Sequence, residues 1–301
     1  MDGLREGLAA RAHSWNDLDP LTAFLREVEL HDQGEAMIER EDIRGLWSRP
    51  SFDMASRTLG VWDGSRIVGD ATIDLERRAS VSIHPAGRRQ GIGTALRQWT
   101  ETRARELGSG LVRQTIYDGN ESAVEHLARA GYTARDTSLI MRIDISGPTA
   151  LATLPAGIEL RPMYTGQEEH AVYELVDGAL AEVSGRALKP FEDFAAATFA
   201  RPDFAPDDLL VTADAENLSG AAHLTRFGNE LWIGYLAVAR AYRRRGLGRA
   251  LLQAAFASAY ERGLTSCGLT TEASRPAAIA LYRGAGMRVD RTYTQYALDL
   301  G

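Results

Sequence analysis

Apolar side chains along the chain follow two spacings, helical and alternating, and the order in which these spacings occur is repeated. Residues 20–30 and 168–180 carry apolar positions three and four apart, as an amphipathic helix requires. Strand-like stretches follow, 61–73 in the first half and 209–224 in the second, broken by Asp63-Gly64 and by residues 217–220. Each leads to a short apolar run, 81–83 or 233–238. A long amphipathic segment comes next, 94–107 or 249–262, closed by Gly108 or Gly263 as helix C-caps. A further strand (111–116; 266–271), a second helix (122–130; 276–285) and a last strand complete each half. This order predicts an α/β (α+β) fold of two tandem domains, each a twisted mixed sheet flanked by helices.

The duplication extends to residue identity. Arg88-Arg89-Gln90-Gly91-Ile92-Gly93-Thr94 returns as Arg243-Arg244-Arg245-Gly246-Leu247-Gly248-Arg249, and Ala130-Gly131-Tyr132 returns as Ala285-Gly286-Met287, both at an offset of 155 residues. Upstream, Arg49-Pro50-Ser51-Phe52 matches Arg201-Pro202-Asp203-Phe204 at an offset of 152. A period this long is not that of a stacked repeat, so the units are whole domains. Residues 148–157, small and with two prolines but no periodic apolar face, predict a linker between domains at 1–147 and 158–301.

Composition narrows the classes. A length of 301 residues suits about two domains. A net charge of −7 argues against nucleic acid and anionic membrane as partners, since an acidic surface repels both. The single cysteine, Cys267, excludes an intrachain disulfide framework and suits a reducing cytoplasm, where it is expected to be a small core residue. No apolar run approaches about 18 residues, and the N-terminus lacks a signal-peptide core, so a soluble cytoplasmic chain is expected. The six histidines include no His-Glu-x-x-His pair, and no metal is expected.

The repeated segment carries the chemistry. A strand, a basic cluster, Gly-x-Gly and then a helix place side-chain-free backbone N–H groups at the positive end of a helix dipole. Arg88 and Arg89, or Arg243, Arg244 and Arg245, flank that site as cations. A Walker A loop would need Gly-Lys-Ser/Thr, which is absent. A dinucleotide fingerprint would need a small residue where Leu96 and Leu251 stand. What remains is a diphosphate site or a tight turn with solvated arginines, and the twofold occurrence favours the first.

The pattern Arg/Gln-x-x-Gly-x-Gly/Ala after a strand resembles the pyrophosphate loop of the GNAT superfamily of N-acetyltransferases. A second signature of that family, Asn-x-x-Ala-x-x-Leu-Tyr-x-x-x-Gly-Phe, is similar to the run from Arg275 through Ala278, Leu281 and Tyr282 to Gly286 and Met287. The resemblance covers both halves and is strongest over residues 233–287. It implies acetyl-CoA as acetyl donor and a primary amine of a small molecule as acceptor, with direct transfer between them. The backbone of Leu236, Ala237 and Val238 would pair with the pantetheine arm. Arg243, Arg244, Arg245, Gly246, Leu247, Gly248 and Arg249 would hold the pyrophosphate. Tyr282 would protonate the leaving thiolate, a task suited to a phenol of pKa about 10. The other reading of Tyr282 is a core aromatic on an amphipathic helix.

In the first half the corresponding loop is Arg88, Arg89, Gln90, Gly91, Ile92, Gly93 and Thr94, a second CoA-binding candidate. Asn120 keeps the family's asparagine, but Leu127 stands where the second half has Tyr282, so this half is expected to be catalytically degenerate. In the second half Arg275 replaces that asparagine and Met287 the phenylalanine, which leaves contacts on the adenine side open. For a general base Glu230 is the first candidate, with Tyr235, His223 and Glu272 nearby; a solvated carboxylate is the plain alternative for Glu230. Residues 182–194 look like a loop entering a helix, with Glu182, Arg186 and Lys189 as acceptor contacts or solvated charges. Two rival functions remain, a non-catalytic acetyl-CoA sensor and an interaction scaffold, and a peptide N-terminus is an alternative acceptor.

Overall fold

The computed structural model describes residues 4–75, 78–184 and 186–301. The first half runs β1 (Leu8–Arg11), α1 (Leu18–Gln33), α2 (Arg40–Trp47), α3 (Met54–Arg57), β2 (Thr58–Asp63), β3 (Arg66–Ile73), β4 (Arg78–Ile83), α4 (Ile92–Glu106), β5 (Leu111–Tyr117), α5 (Glu121–Arg129) and β6 (Thr133–Asp144). The second runs β7 (Glu159–Pro162), α6 (Glu169–Ser184), α7 (Phe191–Ala197), β8 (Leu209–Ala213), β9 (Leu218–Phe227), β10 (Glu230–Val238), α8 (Leu247–Glu261), β11 (Ser266–Glu272), α9 (Pro276–Gly284) and β12 (Arg288–Asp299).

The chain forms two compact units, Met1–Thr137 with Thr292–Gly301, and Ser138–Arg291. In the first unit the strand order is β1-β2-β3-β4-β5-β12, antiparallel except for the parallel pair β4/β5. In the second it is β7-β8-β9-β10-β11-β6, with β10/β11 as the parallel pair. The linker expected at 148–157 carries no helix or strand, but the chain passes between units elsewhere, inside β6 and inside β12. Residues 138–144 of β6 pair with β11, while residues 293–299 of β12 pair with β5. Each unit therefore takes its closing strand from the opposite half of the sequence. Local patterning is silent on this choice, because both last strands have the same alternating character.

Helices cover both faces of each sheet. In the second unit Ala222, Leu224, Leu231 and Ile233 pack with α8 and with Tyr282 of α9, while Leu209, Val211, Ala221 and Ala237 pack with α6 and α7. The neighbours Ala221 and Ala222 thus serve opposite faces, as the pleat of a strand requires. Alanines at 250, 254, 255 and 259 let α8 lie close to its sheet. The first unit repeats the plan, with Ile92 and Leu96 of α4 on Val61, Val68 and Ala71. The helices α1 and α2 pack instead on Trp62 and Ile67.

Gly69 and Gly220 sit at the crossing of helix and sheet in the two units. A Cβ on Gly220 would lie 2.8 Å from Thr212 Oγ1, 3.0 Å from Leu251 Cδ1 and 3.1 Å from the Ala237 carbonyl oxygen. A Cβ on Gly69 would meet Ile92 and Leu96 at 2.7 and 3.0 Å. Gly220→Val is expected to lower unfolding free energy by about 1–3 kcal/mol in urea titration. Gly110→Ala, where nothing lies within 4 Å, is expected to stay within about 0.5 kcal/mol of the parent.

Candidate functional site

The parallel ladder between β10 and β11 is short. Glu230 to Ile233 pair with Ser266 to Leu269, and there it stops. Beyond that point β10 continues from Tyr235 to Val238 bonded to β9 alone, and β11 continues from Thr270 to Glu272 bonded to β6 alone. The break coincides with a bulge between Ile233 and Tyr235, at the exposed residue Gly234. The bulge also exchanges faces. Leu231 and Ile233 belong with α8, and after it Leu236 and Val238 do so, while Tyr235 and Ala237 turn to α6 and α7. The result is a cleft between two splayed strands, with an unpaired backbone edge at Leu236, Ala237 and Val238.

The loop at the end of β10 is preshaped. Arg244 has φ +64° and Gly246 φ +87°, followed by the first turn of α8. The first intrahelical bond is donated by the Ala250 N–H to the Gly246 carbonyl, so the N–H groups of Leu247, Gly248 and Arg249 precede it. A left-handed arginine is uncommon, and the first unit repeats it with Arg89 at +62° and Gly91 at +83°. A Cβ on Gly248 would approach Leu281 Cδ2 to 3.2 Å and Val238 Cγ2 to 3.8 Å. The missing side chain at Gly248 thus allows α9, which carries Tyr282, to close on the loop and the end of β10.

The two loops differ in charge. Arg243 is braced at 2.8 Å by Glu182, and its Nε donates to the Val238 carbonyl at 3.1 Å. Arg244, Arg245 and Arg249 are exposed, and among the described residues none of them forms an ion pair. In the first unit Arg88 is braced likewise by Asp32, at 2.6 and 2.8 Å, and by the Ile83 carbonyl. There Asn120 also donates to Asp32, at 3.0 Å. Gln90 donates to the Ala86 carbonyl, leaving Arg89 as the uncompensated guanidinium among Arg88–Thr94. Among the described residues the second loop therefore presents three cations without an ion pair around its glycine pair, one of them, Arg245, 5.5 Å over the Tyr242 ring, and the first presents one.

Tyr282 lies on α9 at 8% exposure, packed in the α8 core. Among the described residues its hydroxyl has no hydrogen-bond partner. Burial raises its pKa, with Arg275 opposing and Glu272 adding to the shift, so the phenol keeps its proton at neutral pH. In the first unit Leu127 is buried in an apolar cluster, which supplies no acid. Cys267 is fully buried and burial pushes its thiol up to about 12, as an inert core residue.

Glu230 is placed away from the cleft. It opens β10 at the paired end of the ladder, and its carboxylate binds Arg142 at 2.9 and 3.2 Å. Both oxygens of this candidate base are committed to a half-buried arginine. Glu272 pairs with Arg275 at 2.6 Å, and Arg186 pairs with Asp177. Lys189 engages Asp177 through its backbone N–H, and its carbonyl accepts from Tyr173. Gly185, between Glu182 and Arg186 in the sequence, lies outside the described residues. His223 and Tyr235 do come together at the bulge, ring on ring, at 5.8 Å. Sequence reasoning missed the aromatic residues Phe194, Phe199 and Phe204 around them; their recurrence along residues 191–204 was the available signal.

A profile described as the acetyltransferase (GNAT) family matches residues 20–132 and again residues 172–287. The chain belongs to the GNAT acetyltransferase family. It is an acyltransferase built of two GNAT domains in tandem. A mycothiol acetyltransferase of Actinosynnema mirum is 26% identical over 308 residues, covering 95% of this chain and 99% of the relative. A GCN5-related N-acetyltransferase from Sphaerobacter thermophilus superposes with TM-score 0.75 at 26% identity, over 99% of this chain and 97% of that one. A tandem GNAT protein from the clavulanic acid biosynthesis pathway shares the fold, with TM-score 0.74 at 18% identity over 98% and 99% of the two chains. Among the described residues no helix is long and apolar enough to cross a membrane, and no His, Cys, Asp and Glu group is arranged to hold a metal ion.

His223 supplies a test of the site's dryness. It is 7% exposed, and burial pushes its pKa down to about 4, with Arg201 acting in the same direction and Asp208 and Asp203 opposing. Between the ordinary value of 6.5 and about 4, the unfolded chain binds a proton that the folded chain does not. Stability is therefore complete above that window and is lost as pH falls through it. Going from pH 7 to pH 4.5 is expected to cost the parent about 2–3 kcal/mol more than His223→Phe, read by urea unfolding at both pH values.

Proposed function

We propose that the chain moves acetyl from acetyl-CoA directly to a primary amine of a small molecule, with the chemistry in the unit formed by Ser138–Arg291. The observation that carries this reading is the coincidence, in this unit alone, of an open strand edge, a loop with three uncompensated guanidiniums and a protonated buried phenol. Acetyl-CoA supplies an activated thioester and a diphosphate handle. The loop fits that handle: a Cβ on Gly246 would meet nothing within 4 Å, so the backbone there is open to a bulky anion. Arg244, Arg245 and Arg249 neutralise it, while Arg243 braces the loop against Glu182 and the end of β10. The free edge of Leu236, Ala237 and Val238 offers backbone groups to the amides of the pantetheine arm, as an added strand would.

The transfer balances without a covalent enzyme intermediate. The amine nitrogen forms a C–N bond to the acetyl carbonyl carbon and the C–S bond breaks. The electron pair goes to sulfur, where Tyr282 delivers its proton; the amine's proton leaves to water, and the tyrosinate takes a proton back from water. A raised phenol pKa serves this role, because the proton must be present when the thiolate departs. The small-molecule acceptor is supported by relatives named mycothiol acetyltransferases. The other unit keeps the loop backbone at Arg88, Arg89, Gln90, Gly91, Ile92, Gly93 and Thr94, but with one free guanidinium and Leu127 in place of the acid. It is read as a degenerate partner that holds CoA weakly or not at all.

Calorimetric titration of acetyl-CoA into the parent, Gly246→Glu and Gly91→Glu is expected to show a high-affinity site lost only in Gly246→Glu. Tyr282→Phe is expected to lower kcat for thiol release across an amine panel by about 10²-fold or more, with little change in acetyl-CoA affinity. Binding without thiol release for any amine would favour the sensor, and no binding would remove the acetyltransferase reading of this site.

A further inference from the structure

His223 is 7% exposed, and among the described residues no hydrogen bond engages either of its ring nitrogens. A polar group this enclosed gains from a partner that hydrogen-bonds it. Its ring is one member of a closed circuit of five. Centroid separations are 5.8 Å from His223 to Tyr235, 5.8 Å from Tyr235 to Phe194 and 5.7 Å from Phe194 to Phe199. The circuit closes through Phe204, 5.9 Å from Phe199 and 6.3 Å from His223. Phe194, Tyr235 and His223 lie nearly parallel, at interplanar angles of 27° and 25°, while Phe199 stands edge-on at 61° as a wall. Phe199, Phe204 and Tyr235 each keep partial solvent exposure.

The circuit adjoins the place where the thioester is read to lie. A Cβ on Gly234 would come within 3.3 Å of His223 Nδ1, so the imidazole borders the bulge from which the free edge of β10 departs. Two carboxylates near His223 are held in ion pairs: Asp203 binds Arg201 at 2.8 Å and Asp208 binds Arg262 at 2.5 Å. An acceptor there meets flat apolar rings and the imidazole of His223.

Resting on the donor-site reading above, we propose that this circuit is the acceptor pocket, that the acceptor is a primary amine on an aromatic body, and that its N–H is donated to His223. The rings stack on the body of the acceptor. The imidazole lone pair fixes the direction of the amine, whose own lone pair then faces the thioester carbon. His223 orients the amine and does not carry its proton. A ring whose charged form is strongly disfavoured by burial accepts a hydrogen bond but is a poor proton store. The amine's proton leaves to water, as in the transfer already described.

The test compares tryptamine with glucosamine as acceptors, with acetyl-CoA affinity measured in every variant as the control for folding and for the donor site. Tryptamine is expected to exceed glucosamine in kcat/KM by roughly 100-fold. His223→Phe, which keeps a ring and removes the nitrogens, is expected to raise the KM for tryptamine about 10-fold at unchanged acetyl-CoA affinity. His223→Gln, which restores an acceptor, is expected to recover part of that loss. Glucosamine turning over as well as tryptamine, an unchanged tryptamine KM in His223→Phe, or intact acetyl-CoA binding with no turnover of tryptamine would each overturn the proposal. Loss of acetyl-CoA binding by the parent itself would instead overturn the donor-site reading.

Discussion

The parallel ladder between β10 and β11 ends after Ile233 and Leu269, and the rest of the site depends on that parting. A sheet loses stability wherever backbone groups go unpaired, so a break in mid-sheet needs a local cause. The bulge at Gly234 provides it. One extra residue turns the strand, ends its pairing on one side and keeps its pairing with β9 on the other. The same residue reverses the alternation of side chains, so that Tyr235 joins Phe194 and His223 rather than the α8 core. An open edge and an aromatic surface are therefore two consequences of one backbone irregularity.

Around this cleft, charge is organised by arginine pairing. The first arginine of each loop is spent on a brace, Arg88 to Asp32 and Arg243 to Glu182, with a further bond to the carbonyl that ends the preceding strand. The brace fixes the loop where strand gives way to helix and adds little free charge. What distinguishes the two units is the remainder. Arg244, Arg245 and Arg249 stay uncompensated in one, whereas the other retains Arg89. Leu127 likewise stands where the other unit has Tyr282. The loop backbone has the same shape in both units, while the unpaired guanidiniums and the buried phenol occur together in one.

Much of this was legible in the chain. Helical and alternating spacings, the 155-residue repeat and the glycine pairs specify two similar units with a glycine turn at the head of a helix in each, because these features act over a few neighbouring residues. Gly91 and Gly246 must adopt positive φ, and the helices after them bury their apolar stripes, whatever lies elsewhere. The contrast between Tyr282 and Leu127 could likewise be read by position alone.

Tertiary structure decided what depends on partners distant in sequence. Glu230 reads as a base near the loop, but Arg142, 88 positions away, claims both oxygens. The closing strands could have served either sheet by their own pattern, and only long-range pairing assigned β12 to β5 and β6 to β11. Phe194, Phe199 and Phe204 look like ordinary core positions until the fold brings them round His223. Sequence by itself determined local geometry and the repeat, since both are governed by neighbours along the chain. Pairing, burial and the closure of the aromatic circuit are set by contacts that exist only once the sheet has formed.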